Sequence, residues 1–205
     1  MRVLITVLTP ITMALQLVVR FLLKLTPSKR DDEANILAAH EELRGAIELQ
    51  RKEGVVAKGD AQMLGGILDL PELQVLDIMV HRTKMETVSA DDAPGTVIEA
   101  ALKSPYSRLP VWKDEPDNIV GVLHTKNVLA GLAAAGWDPA KVDIQSLMSE
   151  PWFVPDATSV KDQLNGFLRR KAQLALVVDE YGVVQGLVTL EDILEEIVGQ
   201  IGDEH

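Results

Sequence analysis

The sequence predicts an α+β fold in which one strand–helix–strand–strand–helix unit occurs twice. Three observations carry that reading: an internal repeat at a shift of 65 residues, apolar runs whose period switches between strand and helix spacing, and turn residues at the joints. YSRLPVWKDEPDNIVGVLHTKNVL (106–129) lies over KAQLALVVDEYGVVQGLVTLEDIL (171–194) without a gap. Leu109 then meets Leu174, Val111 meets Leu176, Asp114 meets Asp179, Gly121 meets Gly186 and Leu129 meets Leu194.

Taken in order, the chain opens with Val3 to Leu23, 21 residues carrying one charge, Arg20. As a helix this stretch would be roughly 30 Å long, about the thickness of a bilayer core. Pro10 is tolerated in such a helix. Lys24, Lys29 and Arg30 follow and favour a cytoplasmic side for everything after. No small-residue cleavage site follows, so a signal peptide fits less well. The reading is a membrane span or a membrane-surface helix over 1–25, with a buried helix of a soluble protein as the alternative. Residues 26–72 read as a helical linker: ANILAAHEELRGAIELQRKEG stops at Gly54, and KGDAQMLGGILDL follows, capped near Asp60.

The two repeats occupy 73–135 and 136–205. In each, a short strand (METV; PWFV) leads into a helix (TVIEAALKS; SVKDQLNGFLRR), then two apolar strands joined by a turn, then a closing helix. Asp179-Glu180-Tyr181-Gly182 is a turn signal between β-branched runs. One unit alone leaves a sheet face and helix faces it cannot bury. Two copies packed together can, which predicts an intramolecular pseudo-dimer.

Composition removes several function classes. The chain has 205 residues and no cysteine, which excludes disulfides and thiolate metal sites. Residues 1–30 hold five basic residues and no acid, so the remainder has 15 basic against 31 acidic residues, a balance of −16. So acidic a body repels a phosphate backbone, and nucleic acid binding is not expected. No Gly-x-Ser-x-Gly, P-loop or nucleophile–base pairing appears, and no enzyme is expected. His40, His81, His124 and His205 have no metal-ligand spacing.

The closing Gly-x-x-Thr-x-x-Asp, with DIMVHRTKM (77–85), YSRLPV (106–111) and VVDEYGVVQGLVTLEDILEEIVGQI (177–201), resembles a pair of CBS domains, a Bateman module. More closely, these segments are similar to the cytoplasmic part of the CorC/CNNM family, hemolysin-like membrane proteins linked to magnesium and cobalt efflux. The resemblance runs from about residue 36 onward. It implies tandem CBS domains, a homodimer through the CBS pair, and a membrane transport domain as partner. It also implies a place at the cell membrane, with everything after about residue 25 cytoplasmic. His81 departs from the family, which has proline in that turn.

The ligand reading centres on Thr189 and Asp192. A helix N-terminus suits a polar or anionic ligand, and a carboxylate there can accept two hydrogen bonds from a ribose diol. Val80, Tyr106 and Leu190 offer a flat apolar slot for a base. Arg108 is the cation for phosphates, with magnesium supplying further neutralisation. In the family resembled, positions matching Thr189, Asp192, Tyr106 and Arg108 hold the adenosine nucleotide, AMP or ATP. Ser107 and Pro110 of the same SRLPV run complete the candidate set. In the first repeat His124 and Asn127 stand where Thr189 and Asp192 do, so one nucleotide site per chain is expected. Two rivals stand beside this: a structural dimerisation module in which Thr189 and Asp192 only cap a helix, and a divalent-metal regulator using Glu191, Glu195, Glu196, Asp203 and Glu204.

Overall fold

The computed structural model describes residues 30–199, with side chains from residue 39. The expected helix over 1–25 and the acids Asp203 and Glu204 lie outside the described residues. The chain divides into two units at Val56/Ala57. The described part of the first contains one helix, α1 (Arg30–Lys52). Arg51 pairs with Glu48 at 2.6 Å near its end, and Gly54 stops it at φ 76°.

The second unit begins with α2 (Lys58–Asp69) and α3 (Val75–Ile78). The expected cap at Asp60 is not what starts α2: its N-cap is Ala57, without a side-chain bond, and Asp60 sits in the first turn. Nor is α2 a free connector. It lies on α8 (Leu190–Val198), the last helix. Gly66 makes that approach possible, because a Cβ there would stand 2.6 Å from the Glu196 carbonyl oxygen and 2.8 Å from Ile197 Cα.

Two four-stranded sheets follow. One has the order β2 (Val88–Ser89), β3 (Arg108–Lys113), β4 (Glu115–His124), β5 (Met148–Ser149), and carries α4 (Pro94–Lys103) and α5 (Thr125–Ala134). The other has the order β1 (Val80–His81), β8 (Val184–Thr189), β7 (Leu174–Val178), β6 (Phe153–Pro155), and carries α7 (Val160–Arg170) and α8. A short α6 (Ile144–Leu147) leads into β5. The strands are exchanged between the repeats. β1 precedes the first repeat's own sheet yet pairs with β8, and β5 precedes the second repeat's sheet yet pairs with β4.

Each sheet buries one face under its helices. Val97, Ala101, Leu109, Val111, Leu123 and Val128 form the first core. Val160, Phe167, Ala175, Val177, Val188 and Ile193 form the second, which Leu70 and Val75 join from ahead of β1. Between the sheets lies a third cluster of Ile119, Leu176, Val184 and Leu187, with Trp112 and Val80 packed on it. That layer is the pseudo-dimer the repeat predicts.

The ladders correct the gap-free alignment. Val111 faces Gly121 in the first hairpin, whereas Val177 faces Gly186 in the second. The β4/β8 pairing keeps the shift of 65, but β3 and β7 correspond at a shift of 66, so Leu109 matches Ala175 rather than Leu174. The first hairpin is one residue longer, with Asp114 at φ 63° on its tip. Strand alternation explains the discrepancy: a one-residue slip would turn Leu174 and Leu176 toward the helices, while they belong to the layer between the sheets.

Candidate functional site

In the second repeat the extended strand β8 runs straight into α8, and Thr189 closes the joint with a reciprocal capping box. Thr189 N–H and its hydroxyl both donate to Asp192 Oδ2, at 2.7 and 2.8 Å, and Asp192 N–H donates to Thr189 Oγ1 at 3.2 Å. The cap therefore uses one carboxylate oxygen. Asp192 Oδ1 has no hydrogen bond among the described residues, and the side chain is half-buried. Leu190 donates its N–H to the Gln173 carbonyl at 3.1 Å and packs against the second core. Val80 sits opposite Leu187, two residues before Thr189. Gly186 permits this pairing, since a Cβ there would collide with the Val80 carbonyl oxygen.

The first repeat places the other candidates around the start of β3. Tyr106 is exposed, donates its N–H to Ser104 Oγ at 3.1 Å, and accepts the Thr125 hydroxyl at 3.3 Å. Ser107, also exposed, accepts Thr125 N–H at 3.0 Å. Arg108 begins the strand opposite His124. It is half-buried, and its guanidinium has no hydrogen bond or ion pair among the described residues. Pro110 is buried opposite Val122. Leu109 and Val111 face the helices, so Arg108, Pro110 and Trp112 share the opposite face, turned to the layer between the sheets. Thr189 shares its face with Leu187, which lies in that same layer.

The candidates thus form two groups, Val80/Thr189/Leu190/Asp192 and Tyr106/Ser107/Arg108/Pro110. Val80, Arg108, Pro110 and Thr189 lie on strand faces turned to the inter-sheet layer, whereas Leu190 packs on the second core and Tyr106 and Ser107 are exposed; no hydrogen bond among the described residues joins the two groups.

The first repeat's own cap differs in kind. His124 Nδ1 accepts the Lys126 N–H at 3.1 Å, and Asn127 is exposed and outside the cap. Burial, then the charges of Arg108 and Lys126, push the His124 imidazole below its ordinary range. His81, in the family proline's place, caps the turn Arg82–Lys84 by accepting Thr83 N–H at 3.3 Å.

Sequence reasoning missed an open cavity of about 220 Å³ beside Tyr106. Glu86, Thr87, Val88, Lys103 and Ser104 line it, and the Ser104 hydroxyl donates to Glu86 Oε2 at 2.5 Å. Those two residues are 18 apart, and no linear pattern pairs them. Among the described residues no group of three or more His, Asp or Glu could hold a metal ion. No described helix is long and apolar enough to cross a membrane.

Comparison with known proteins agrees with this architecture. The CBS domain family matches residues 75–134 and 142–199. The magnesium and cobalt efflux protein CorC of Pasteurella multocida is 36% identical over 168 residues, 82% of this chain and 55% of that protein. The UPF0053 protein Rv2366c of Mycobacterium tuberculosis is 34% identical over 168 residues, 82% of this chain and 39% of that protein. The UPF0053 inner membrane protein YfjD of Escherichia coli is 32% identical over 190 residues, 93% of this chain and 44% of that protein. The chain therefore spans about half the length of these relatives.

Among solved structures, the CBS domain of a bacterial CNNM/CorC family Mg2+ transporter superposes with a TM-score of 0.72 at 34% identity, covering 80% of this chain and 98% of that one. Its complex with ATP gives 0.63 at 36% identity, covering 68% and 97%. A CBS-domain pair with bound AMP from Klebsiella pneumoniae gives 0.54 at 34% identity, covering 62% and 99%.

Proposed function

The chain belongs to the CBS-domain family as a tandem pair with CorC/CNNM relatives, and from that premise we propose that it is a regulatory module binding an adenine nucleotide between its repeats. The observation that carries the reading is a pair of polar groups without partners among the described residues: Oδ1 of Asp192 beside the capped turn, and the guanidinium of Arg108 on the strand face turned to the inter-sheet layer. A carboxylate oxygen with no partner is the group a ribose diol takes, and a free arginine is the group a phosphate takes. The exposed Tyr106 ring beside Arg108 offers the base a stacking face, and the apolar Val80 lies near the capped turn. Magnesium accompanies the phosphates as counter-charge in so acidic a chain. Two solved neighbours, one in complex with ATP and one with bound AMP, support the ligand class.

The module works by binding, not by chemistry. Nucleotide favours one arrangement of the two repeats, and that arrangement is passed to a membrane transport domain that moves magnesium or cobalt. Its place is at the membrane, with the repeats on the cytoplasmic side. Two modules associate through their helices. Leu102 on α4 and Leu129 on α5 are exposed, as are Leu168 on α7 and Leu194 on α8 at matching places in the second repeat. Such a two-fold set of apolar positions suits a face-to-face homodimer.

Thermal unfolding of the full chain with and without ATP and magnesium tests the proposal. Ligand at a hundred times its dissociation constant stabilises by about 2.7 kcal/mol, or roughly 5–11 °C for a chain of this size. Asp192→Asn keeps an acceptor for the cap and removes the charge, so the variant should fold normally and lose the shift. No shift in wild type sinks the nucleotide reading. An undiminished shift in Asp192→Asn removes Asp192 from the site.

A further inference from the structure

We infer that His81 is a proton-operated cap on the turn Arg82–Lys84, and that its loss in acid unseats Val80 beside the nucleotide. The cap stands on geometry alone; its effect on nucleotide rests on the reading above.

His81 lies where the two sheets are tied together. It pairs with Gly186 across β1 and β8, and Val80 pairs with Leu187. That strand is two residues long, so the residue bearing the cap is also the strand's last. Beyond the turn, Met85 packs on the layer between the sheets, as Val80 does before it. Arg82 reaches across to Asp117 of the first hairpin, at 3.4 Å. Whatever loosens the turn therefore loosens the end of the strand that seats Val80.

The cap requires a neutral ring. Thr83 N–H donates to His81 Nδ1 at 3.3 Å, and the Thr83 hydroxyl stands 3.0 Å from the same atom. A bare Nδ1 puts the ring's one proton on Nε2. When the ring takes a second proton, Nδ1 becomes a donor. It can then give to the Thr83 hydroxyl oxygen, but the Thr83 N–H loses its acceptor and the turn its cap. Charge acts in the same direction, because an imidazolium adds a third cation to Arg82 and Lys84 within four residues.

The surroundings give the charged ring no partner. β8 carries no ionisable side chain from Val184 to Thr189. Asp77 of α3 is taken up by the Gln74 N–H, and Asp117 faces Arg82. Asp179 of the second hairpin accepts the Tyr181 and Val183 N–H groups. Among the described residues no carboxylate bonds the His81 ring. Histidine changes charge between about pH 5 and 8, whereas ordinary carboxylates titrate near about 4, so acid reaches this cap before the acids around it. The backbone at His81 lies at φ −61° and ψ 145°, which a proline would fix with nothing to titrate. Histidine holds the same conformation through a hydrogen bond, and so makes it conditional on pH. His81 is thus a positioning residue for Val80, not a contact to the ligand.

The experiment follows two signals on the full chain between pH 8 and 5.5. One is the Thr83 amide by NMR, with the His81 ring beside it, assigned by its absence from His81→Asn. The other is the dissociation constant of ATP with magnesium, measured at each pH in wild type and in His81→Asn. Asparagine keeps an acceptor at the cap and does not titrate. The ratio of the two constants removes the titration of the phosphates themselves. The Thr83 amide should move with the His81 ring. Wild-type binding, relative to His81→Asn, should weaken about fivefold from pH 8 to pH 5.5, equivalent to about 1 kcal/mol. The same ratio taken in a His124→Asn background should fall equally, because His124 caps α5 and not this turn.

A Thr83 amide that stays fixed while the His81 ring titrates overturns the inference. So does a flat affinity ratio while the amide moves; the nucleotide reading then stands, and the turn does not govern Val80. If the amide moves with the ring and no nucleotide binds at any pH, the cap stands and the nucleotide reading is the one that fails.

Discussion

Two adjacent glycines of α2 should respond differently to alanine. At Gly65 an added Cβ would find nothing within 4 Å, whereas at Gly66 it would meet three backbone atoms of α8 at 2.6–2.8 Å. Backbone atoms cannot rotate aside. With ordinary contacts at about 3.5 Å, the two helices must part by somewhat less than ~1 Å. Overpacking of that kind costs about 1–3 kcal/mol. Against it stands the gain of about 1 kcal/mol from replacing a helix-interior glycine by alanine, and the same gain applies at Gly65. Gly65→Ala should therefore raise stability by about 1 kcal/mol, and Gly66→Ala should leave it unchanged or lower it by up to about 2 kcal/mol. The propensity gain is common to both, so the difference between the variants isolates the crossing: about 2 kcal/mol at mid-range, roughly 4–8 °C in midpoint. Urea unfolding of both variants beside wild type, at a constant m-value, measures it. Equal midpoints would mean that α2 does not rest on α8.

Two further outcomes follow from single residues. Gln163 is 2% exposed and its Nε2 has no hydrogen-bond acceptor among the described residues, so Gln163→Met should stabilise the chain by about 1 kcal/mol, and a lower denaturation midpoint would show that the amide is satisfied after all. Asp179 is held below the usual carboxylate range chiefly by the Val183 N–H, then by Tyr181 N–H and the Gln185 amide, with Arg82 nearby, against a smaller opposing effect of burial. A depressed folded value contributes stability above the unfolded pKa of about 3.9 and loses it as pH falls through the folded value. The advantage of wild type over Asp179→Asn should accordingly be full near neutrality and shrink below about pH 4; a pH-independent gap refutes that charge-based account.

How much of this was legible depended on the range of the signal. Periodicity and turn residues are local, and they located the repeat, its strands and helices, and the Asp179–Gly182 turn, where Gly182 takes φ 80°. The Thr189–Asp192 cap was equally plain, because its partners are three residues apart. Register was not: an alignment reads identity, while the extra residue at the Asp114 tip is revealed only by which side chains reach which core. The exchange of β1 and β5 was hidden because edge strands of two residues carry no alternation to read. The cavity at Glu86 and Ser104 needed the end of α4 brought beside β2. The docking of α2 turned on one missing methyl group at Gly66.

The exchanged edge strands also decide how the molecule can come apart. A cut in the connection at 136–141 would leave the N-terminal fragment holding β1 with no β8 to receive it, and its own sheet lacking β5. The C-terminal fragment would carry β5 with nothing to pair and a bare edge at β8. Each fragment would expose the strand edge that the other completes, so separated halves should reassociate on mixing rather than fold alone. Val80 must wait for Leu187 to be made before its pairing closes, so that ladder forms only after both repeats have been synthesised. Duplicated units that merely sat side by side could drift apart as independent modules. Here each copy holds an edge of its neighbour's sheet, and neither can be lost without unmaking the other.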